Sequence, residues 1–255
     1  MISSARDELK RLLAAVQFFT QIPVPGWVGH SQEQLNAAVR YFPAVGLLVG
    51  LMSALIYELA HRALPDPIAI LLSMAFSMLL TGAFHEDGLA DAVDGFGGSY
   101  TAEKALIIMK DSRIGTYGAC ALIGVLLLKW QALSALAPSL VFSLLVAGHT
   151  ASRAASVWVM RTLPYVREDD TSRAKPLVQQ VSRVSLTVAL LTSLFALVLV
   201  GYPALVGVGA LLIVTLVAIR YFRYRIGGYT GDCLGAVQQL AEVSFYLGAL
   251  GYAHP

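Results

Sequence analysis

The sequence contains few charged residues. Asp, Glu, Lys and Arg make up 13% of its 255 residues, about half the quarter that is usual in soluble proteins. With 57% hydrophobic residues and a mean hydropathy of +0.68, too little charge is left to cover a soluble globule, and the composition is not that of a disordered chain. The net charge of +2 is too small for a nucleic-acid-binding surface. We therefore expect a membrane protein with no nucleic-acid partner.

Cysteine is also scarce. The two cysteines are Cys120, inside an apolar run, and Cys233, in a glycine-rich loop. They cannot form a disulfide framework and do not have the spacing of metal ligands. They indicate nothing firm about the redox compartment.

Long apolar runs are abundant. A helix of about 20 apolar residues crosses a hydrocarbon layer of about 30 Å. We therefore predict an all-α, polytopic transmembrane helix bundle of about seven spans, with residues 1–255 as a single integral-membrane domain and the bundle over 43–252. Gly201-Tyr202-Pro203 predicts a tight hairpin between spans five and six. The runs are 43–60, 67–84, 115–137, 140–160, 184–200, 204–219 and 236–252, the last being the weakest because it contains Gln238, Gln239 and Glu242.

The first 42 residues have a different pattern. Apolar residues recur at helical spacing beside several charged ones, which predicts an amphipathic helix at the membrane surface, followed by a cytoplasmic loop. A signal peptide is the alternative, but the apolar stretch is short, Gln17 interrupts it, and no small-residue cleavage site follows. The apolar residues are Leu9, Leu12, Leu13, Val16 and Phe19.

Basic residues indicate the orientation of the bundle. When the N-terminus and the loops 85–114, 161–183 and 220–235 are placed on one side, fifteen of the 18 basic residues fall there. Since basic residues favour the cytoplasmic side, we expect these three long polar loops to be cytoplasmic and to form the active site. The fifteen are Arg6, Lys10, Arg11, Arg40, Lys104, Lys110, Arg113, Arg161, Arg167, Arg173, Lys175, Arg183, Arg220, Arg223 and Arg225.

Acidic residues are concentrated in one stretch. Four of the 16 carboxylates lie in residues 86–94, and Asp87, Asp91 and Asp94 share a face if the stretch is helical. Three anions on one face need a neutralising cation, and oxygen ligands suit Mg²⁺, Mn²⁺ or Ca²⁺. The spacing does not match an EF-hand. A solvated face is the alternative, but the apolar residues between the acids favour a metal site.

A second polar segment precedes the 115–137 run. Lys110, Asp111, Ser112 and Arg113 stand before a helix start with Gly115. Backbone N–H groups there, together with the Arg113 guanidinium, could hold phosphate oxygens. The pattern is not specific, because Asp111 could instead cap the helix and Arg113 could anchor it at the membrane surface.

Ionisable residues also lie inside an apolar run. His149 and Arg153 are four residues apart and share a helical face with Ser156. Such groups are costly in a membrane and usually face a polar cavity, so we expect them to face the carboxylate cluster or its substrate. A structural role, with Arg153 bonded to backbone carbonyls, stays open.

A glycine-rich loop covers residues 227–235 and includes Thr230 and Asp232. Dense glycine permits close approach of backbone to a ligand, although a sharp turn would also explain it. The loop falls on the same side as the acidic stretch, which favours a functional role.

Two function classes remain open on these residues alone. One is a metal-dependent phosphoryl-group transferase at the cytoplasmic face. The other is a cation-coupled transporter that binds ions at intramembrane carboxylates. The carboxylates lie at the end of a run and the sequence shows no repeated halves, so we favour the enzyme.

Over nearly its whole length the sequence resembles the cobalamin synthase family, the adenosylcobinamide-GDP ribazoletransferases. The acidic motif is the most specific part of this resemblance. The matching motifs are Phe18-Phe19-Thr20-Gln21-Ile22-Pro23, His85-Glu86-Asp87-Gly88-Leu89-Ala90-Asp91, Asp94-Gly95, Lys110-Asp111-Ser112-Arg113-Ile114-Gly115, Ser152-Arg153 and Gly231-Asp232.

The resemblance implies a reaction and a location. Adenosylcobinamide-GDP would be joined to α-ribazole or its 5′-phosphate, with Mg²⁺ as cofactor and GMP as the leaving group, in the bacterial inner membrane among its lipids. It also implies roles for the candidate residues. Metal ligands would be Glu86, Asp87, Asp91 and Asp94; catalytic residues Asp91, Asp94 and His149; and substrate-binding residues Lys110, Asp111, Ser112, Arg113, Arg153, Thr230 and Asp232.

The first apolar run carries a small-residue motif. Gly46 and Gly50 have the Gly-x-x-x-Gly spacing that lets helices approach closely, within one chain or between chains. A homo-oligomer is therefore possible.

Overall fold

The computed structural model describes residues 5–29, 31–166 and 181–253. Within these ranges the chain is helical, with one isolated bridge between Tyr165 and Tyr229 and no longer strand. The predicted all-α class is confirmed. The α-helices are α1 (Ala5–Phe19), α2 (Gln32–Ala38), α3 (Phe42–His61), α4 (Asp66–Thr81), α5 (Phe84–Gly98), α6 (Ala102–Ile108), α7 (Thr116–Ser134), α8 (Pro138–Thr162), α9 (Arg183–Val198), α10 (Tyr202–Ile226) and α11 (Gly231–Ala253).

Helices form at all seven apolar runs, but they do not all have the length and composition of a span. Among the described residues four qualify: Gln34–His61, α7, α8 and α10. A fifth is obtained if α4 and α5 are taken together as one broken span. Helix α9 has only 16 residues, and α11 is not among the qualifying helices. The structure therefore supports a multi-pass membrane protein with four or five clear spans.

Glycine and proline separate α9 from α10 as the sequence predicts. Gly201 has φ +77°, and α10 begins at Tyr202 with Pro203 in its first turn. Positive φ favours glycine, and proline suits a first helical turn because no N–H is needed there. The predicted break between the two helices is confirmed. A tight hairpin is not, because among the described residues α9 packs mainly on α8 and α3, and α10 packs mainly on α11.

A sharp bend of 86° separates α4 from α5. Gly82 and Ala83 both have left-handed backbone angles, with φ +64° and +54°, so the α-helix cannot continue through them. The second apolar run, 67–84, therefore includes the bend, because α4 ends at Thr81 and Phe84 begins the next helix. The bend turns the acidic segment away from the direction of the span before it.

Helix α8 is the most buried long helix and forms the centre of the bundle. Helix α3 packs against it through the Gly-x-x-x-Gly motif. A side chain at Gly46 would collide with the His149 carbonyl, and one at Gly50 would lie 2.8 Å from the Val146 Cα. The motif thus serves packing within the chain, and a homo-oligomer stays a prediction.

Helix α1 forms where the amphipathic pattern predicts it and packs on the bundle with its second half. The Phe19 ring lies 4.3 Å from that of Phe42, centroid to centroid. At its first half, Glu8 accepts a hydrogen bond of 2.6 Å from the Tyr41 hydroxyl and pairs with Arg40 at 3.2 Å. Leu9 remains 48% exposed. The position of α1 relative to a membrane stays a prediction.

Three of the basic residues behind the orientation argument, Arg167, Arg173 and Lys175, lie outside the described residues.

Candidate functional site

Helix α5 carries the acidic residues on one face, as predicted. At 3.6 residues per turn, Asp87, Asp91 and Asp94 fall within an arc of about 60°. Asp87 is exposed, Asp91 is half-buried and Asp94 is buried. The face therefore begins at the surface and ends inside the protein.

The Asp94 carboxylate binds the first turn of α7. Its Oδ2 accepts a hydrogen bond of 2.6 Å from the Gly115 N–H, and its Oδ1 accepts one of 2.8 Å from the Gly118 N–H. A carboxylate at a helix N-terminus is favoured because the helix dipole is positive there. The N–H groups that we expected to hold phosphate thus hold Asp94, and the alternative of Asp111 as the cap is wrong.

The loop before α7 presents its charges to solvent. Arg113 donates to Asp111 through Nε at 3.0 Å and through Nη2 at 2.6 Å. These hydrogen bonds lower the pKa of Asp111 to about 2. The Arg113 side chain is 86% exposed, and Lys110 and Ser112 are also exposed. This loop and Asp94 line an open cavity of about 480 Å³.

The start of α11 crosses α5 at two glycines. A side chain on Gly88 would lie 3.2 Å from the Cα atoms of both Asp232 and Gly235. The backbone of Asp232 is thereby held against the acidic helix. Thr230 is fully buried, and its Oγ1 accepts a hydrogen bond of 3.3 Å from the Cys233 N–H. Thr230 therefore caps the N-terminus of α11.

A buried ion pair joins α7 to α11. Lys129 Nζ lies 2.9 Å from Glu242 Oε1, with side-chain exposures of 7% and 1%. His149 Nδ1 lies 3.2 Å from the other oxygen, Oε2. We expected His149 to face the acidic cluster or its substrate, but the carboxylate beside it is that of Glu242.

Two glutamines connect this ion pair to the acidic helix. The Gln239 Oε1 accepts a hydrogen bond of 2.9 Å from Lys129, and its Nε2 donates to Glu86 Oε1 at 2.8 Å. Gln238 Nε2 donates to Glu242 Oε2 at 2.6 Å. Glu86 therefore belongs to an internal network and lies outside the arc of the three aspartates. This network was not predicted from the sequence, although polar residues inside apolar runs usually indicate buried polar contacts.

Arg153 lies near the first turn of α5. It is 2% exposed and its Nη1 donates to the His149 carbonyl at 2.9 Å. Its Nε is buried and has no hydrogen-bond partner among the described residues. The guanidinium borders a small space that it shares with Phe19 and His85. The structural alternative, bonding to a backbone carbonyl, therefore accounts for one of its nitrogens only.

The described residues contain no set of three or more His, Cys, Asp or Glu side chains that could hold a metal ion alone. What α5 offers is an oxygen-only pair one turn apart, Asp87 and Asp91. In addition, Glu86 Oε2 is buried without a hydrogen-bond partner in the described chain. Mg²⁺ in phosphoryl-transfer enzymes is commonly bound by one or two carboxylates, completed by substrate phosphates and water. The Asp87–Asp91 pair fits a site of that kind. It does not fit a site in which every metal ligand comes from the protein.

Comparison with known proteins supports one family. The family model described as cobalamin-5-phosphate synthase matches residues 11–250. An adenosylcobinamide-GDP ribazoletransferase of Shewanella frigidimarina is 50% identical over 244 residues, covering 94% of each chain. One of Shewanella piezotolerans is 48% identical, covering 96% of each chain, and one of Shewanella halifaxensis is 49% identical, covering 95% of each. No solved structure gives a significant match.

The family model covers the acidic helix, the loop before α7 and the start of α11, and the identity to these relatives extends over almost the entire chain. The chain therefore belongs to the cobalamin-5-phosphate synthase family, among the adenosylcobinamide-GDP ribazoletransferases.

Proposed function

We propose that this chain joins adenosylcobinamide-GDP to α-ribazole or its 5′-phosphate and releases GMP. The observation that carries the proposal is the acidic face of α5, which the first turns of α7 and α11 hold in place from two sides. Relatives that are about half identical over nearly their full length carry the name of this activity.

A ribose hydroxyl of α-ribazole attacks the phosphorus next to the cobinamide. An oxygen–phosphorus bond forms there, and the bond to the GMP phosphate breaks with its electron pair leaving on GMP. Mg²⁺, when bound, neutralises the diphosphate and stabilises the leaving phosphate. No change of oxidation state occurs, so no further reactant is needed.

The aspartates of the acidic face have different roles. We assign Asp87 and Asp91 to the metal, because they lie toward the surface end of the face. Asp94 is a positioning residue, since both of its oxygens accept N–H groups of α7. The proton of the attacking hydroxyl passes to a carboxylate, and we assign this role to Asp232, because its backbone lies against Gly88 on the acidic helix.

Cationic side chains near the open cavity of about 480 Å³ bind the diphosphate. Arg113 lines this cavity, and Lys110 is exposed in the same loop, so both can turn toward a ligand. The Asp111 carboxylate now occupies the Arg113 fork, and a phosphate would compete for it. Arg153 and His149 are buried on α8 and lie outside this loop.

The location follows from the charge distribution. We propose a multi-pass protein of the bacterial inner membrane, with about seven spans, α1 at the membrane surface and the acidic face toward the cytoplasm. Helices α9 and α11 would complete the seven spans, α11 by covering its polar residues with α7, α8 and α5.

The transporter alternative is not favoured. The intramembrane carboxylate that it would use, Glu242, is paired with Lys129, and the relatives are named as transferases. The test is to incubate the purified protein in detergent with adenosylcobinamide-GDP, α-ribazole and Mg²⁺. Enzymatic transfer releases GMP without a sealed compartment, whereas a transporter releases none.

A further inference from the structure

A separate cavity of about 430 Å³ lies between α1, the segment that follows α1, and the bend from α4 to α5. Its volume is typical of small-molecule sites, which span about 300–1,000 Å³. Its walls include Gln17, Phe18, Gln21, Gln34 and Phe84, and we name it the amide-lined cavity. None of these residues belongs to the metal or diphosphate sites proposed above.

The part of the cavity lining that the structure describes is neutral. The described residues that form its walls carry no formal charge. Their polar groups are glutamine amides, which both donate and accept hydrogen bonds, and hydroxyls. The rings of Phe18 and Phe84 stand edge to face at 5.4 Å. Amides beside aromatic rings suit an uncharged heteroaromatic nucleoside, whereas a phosphate would call for cationic or clustered N–H donors.

One wall residue has an unsatisfied donor. The Nε2 of Gln34 is shielded from solvent and lacks a hydrogen-bond partner in the described part of the chain. A buried amide without a partner is unfavourable, and a ligand acceptor would satisfy it. The backbone of Gln34 is fixed, because its N–H donates to the Ser31 hydroxyl that caps α2. The backbone that carries the unsatisfied amide is thus fixed at the cavity wall.

A second glutamine lies at the bend. The Gln21 N–H donates to the Leu80 carbonyl at 2.8 Å. Its side-chain amide passes over Gly82 so closely that a side chain at that position would collide with it. Glycine at position 82 therefore permits the bend and also leaves room for the amide of Gln21.

The cavity and the acidic face share one helix. Phe84, Asp87 and Asp91 stand at i, i+3 and i+7 on α5, so they lie on one face. Phe84 is about 4.5 Å before Asp87 along the helix axis. A ligand that stacks on Phe84 can therefore extend a hydroxyl toward the aspartates.

We propose that the amide-lined cavity binds the α-ribazole acceptor, with its base against Phe18 and Phe84 and its ribose directed along α5. This inference rests on the proposed function. The other substrate fits poorly, because its diphosphate would find no opposite charge among the described lining residues. The donor therefore approaches the acidic face from the open cavity beside Arg113, and the acceptor from the amide-lined cavity.

The test measures α-ribazole binding to the purified full-length protein in detergent by calorimetry, without the donor substrate. We expect Gln34→Leu and Gln21→Leu each to raise the Kd for α-ribazole about tenfold, the loss of roughly one hydrogen bond. The KM for adenosylcobinamide-GDP should remain within about twofold. Gln131→Leu is the matched control, because Gln131 is exposed on α7, outside the cavity, and its Kd should equal that of the unmodified protein.

Two results overturn the inference: an unchanged Kd in both folded variants, or a raised KM for the donor with the α-ribazole Kd unchanged. These are distinct from failure of the proposed function. If α-ribazole binds and the variants weaken it but no GMP is released, the cavity assignment stands and the reaction is wrong. If GMP is released and the variants bind α-ribazole normally, the reaction stands and the cavity assignment is wrong.

Discussion

Gly118 on α7 lies so close to Asp94 on α5 that the carboxylate accepts its N–H at 2.8 Å and leaves no space for a side chain. The second oxygen of Asp94 is taken by the N–H of Gly115. The acidic face and the loop before α7 are therefore joined through one carboxylate, that of Asp94. A disturbance of this contact should reach both parts of the site.

Replacing Gly118 by alanine should separate the two helices. The new methyl group would meet the Asp94 carboxylate and would lie 2.7 Å from the Ala90 carbonyl, so α7 must shift. We expect a lower melting temperature in detergent and a fall in GMP release of about tenfold or more. Gly124→Ala on the same helix is the control, because nothing lies within 4 Å of its added carbon. Equal melting temperatures and activities for the two variants would refute the contact.

The sequence was sufficient to predict the helical class, the acidic face and the break between helices at Gly201, since each depends on local periodicity or a local breaker. It did not reveal that Asp94 caps another helix. Asp94 and Gly118 are 24 residues apart, and neither residue signals its partner. The bend at Ala83 was missed for a different reason, because alanine rarely takes a left-handed backbone angle and here follows a glycine that already does.

Breaking the buried ion pair should destabilise the bundle. Lys129→Met leaves the Glu242 carboxylate without its ammonium partner in the interior, at a cost of about 3–5 kcal/mol. The measurement is the free energy of unfolding in mixed micelles. We also expect weaker activity, because Gln239 loses the donor that helps to orient it toward Glu86.

A double variant separates the charge from the packing. Lys129→Met with Glu242→Gln removes both charges and should recover a large part of the stability lost by Lys129→Met alone. If the double variant is as unstable as the sum of the two single variants, the residues are not coupled, and the network does not act as one unit.

Asp91→Asn should leave a folded protein with little activity. The side chain keeps its size and loses its charge, so the proposed Mg²⁺ site loses a ligand. We expect GMP release to fall about 100-fold or more, as for removal of a group that stabilises the transition state. Thermal unfolding with and without Mg²⁺ and the donor should show no ligand-dependent shift. Near-normal turnover by this variant would exclude Asp91 as a ligand.

Arg113→Ala should impair donor binding without affecting stability. The side chain is 86% exposed, and the Asp111 carboxylate is its bonded partner, so little packing is lost. We expect the KM for adenosylcobinamide-GDP to rise about tenfold, with the melting temperature unchanged. Arg62→Ala is the control, because Arg62 is exposed at the opposite end of α3 from the proposed cytoplasmic side. A KM that rises equally in both variants would indicate a general charge effect.

The polar network could be anticipated in part. Gln238, Gln239 and Glu242 were visible as polar residues in the last apolar run. Their partners could not be assigned from sequence, because Lys129 is on α7 and Glu86 is on α5, more than 100 residues earlier. Spacing predicts residues on one helix face, whereas contacts between helices depend on how the bundle packs.

We expect α-ribazole to attack the phosphorus next to the cobinamide. The most direct measurement is mass spectrometry of all products formed by the purified protein from adenosylcobinamide-GDP, Mg²⁺ and α-ribazole labelled with ¹⁸O in its ribose hydroxyls. We expect unlabelled GMP and a ribazole-containing corrinoid that retains the label, in equal amounts. Labelled ribazole joined to GMP with release of cobinamide phosphate, or no product from a folded and membrane-extracted protein, would contradict it.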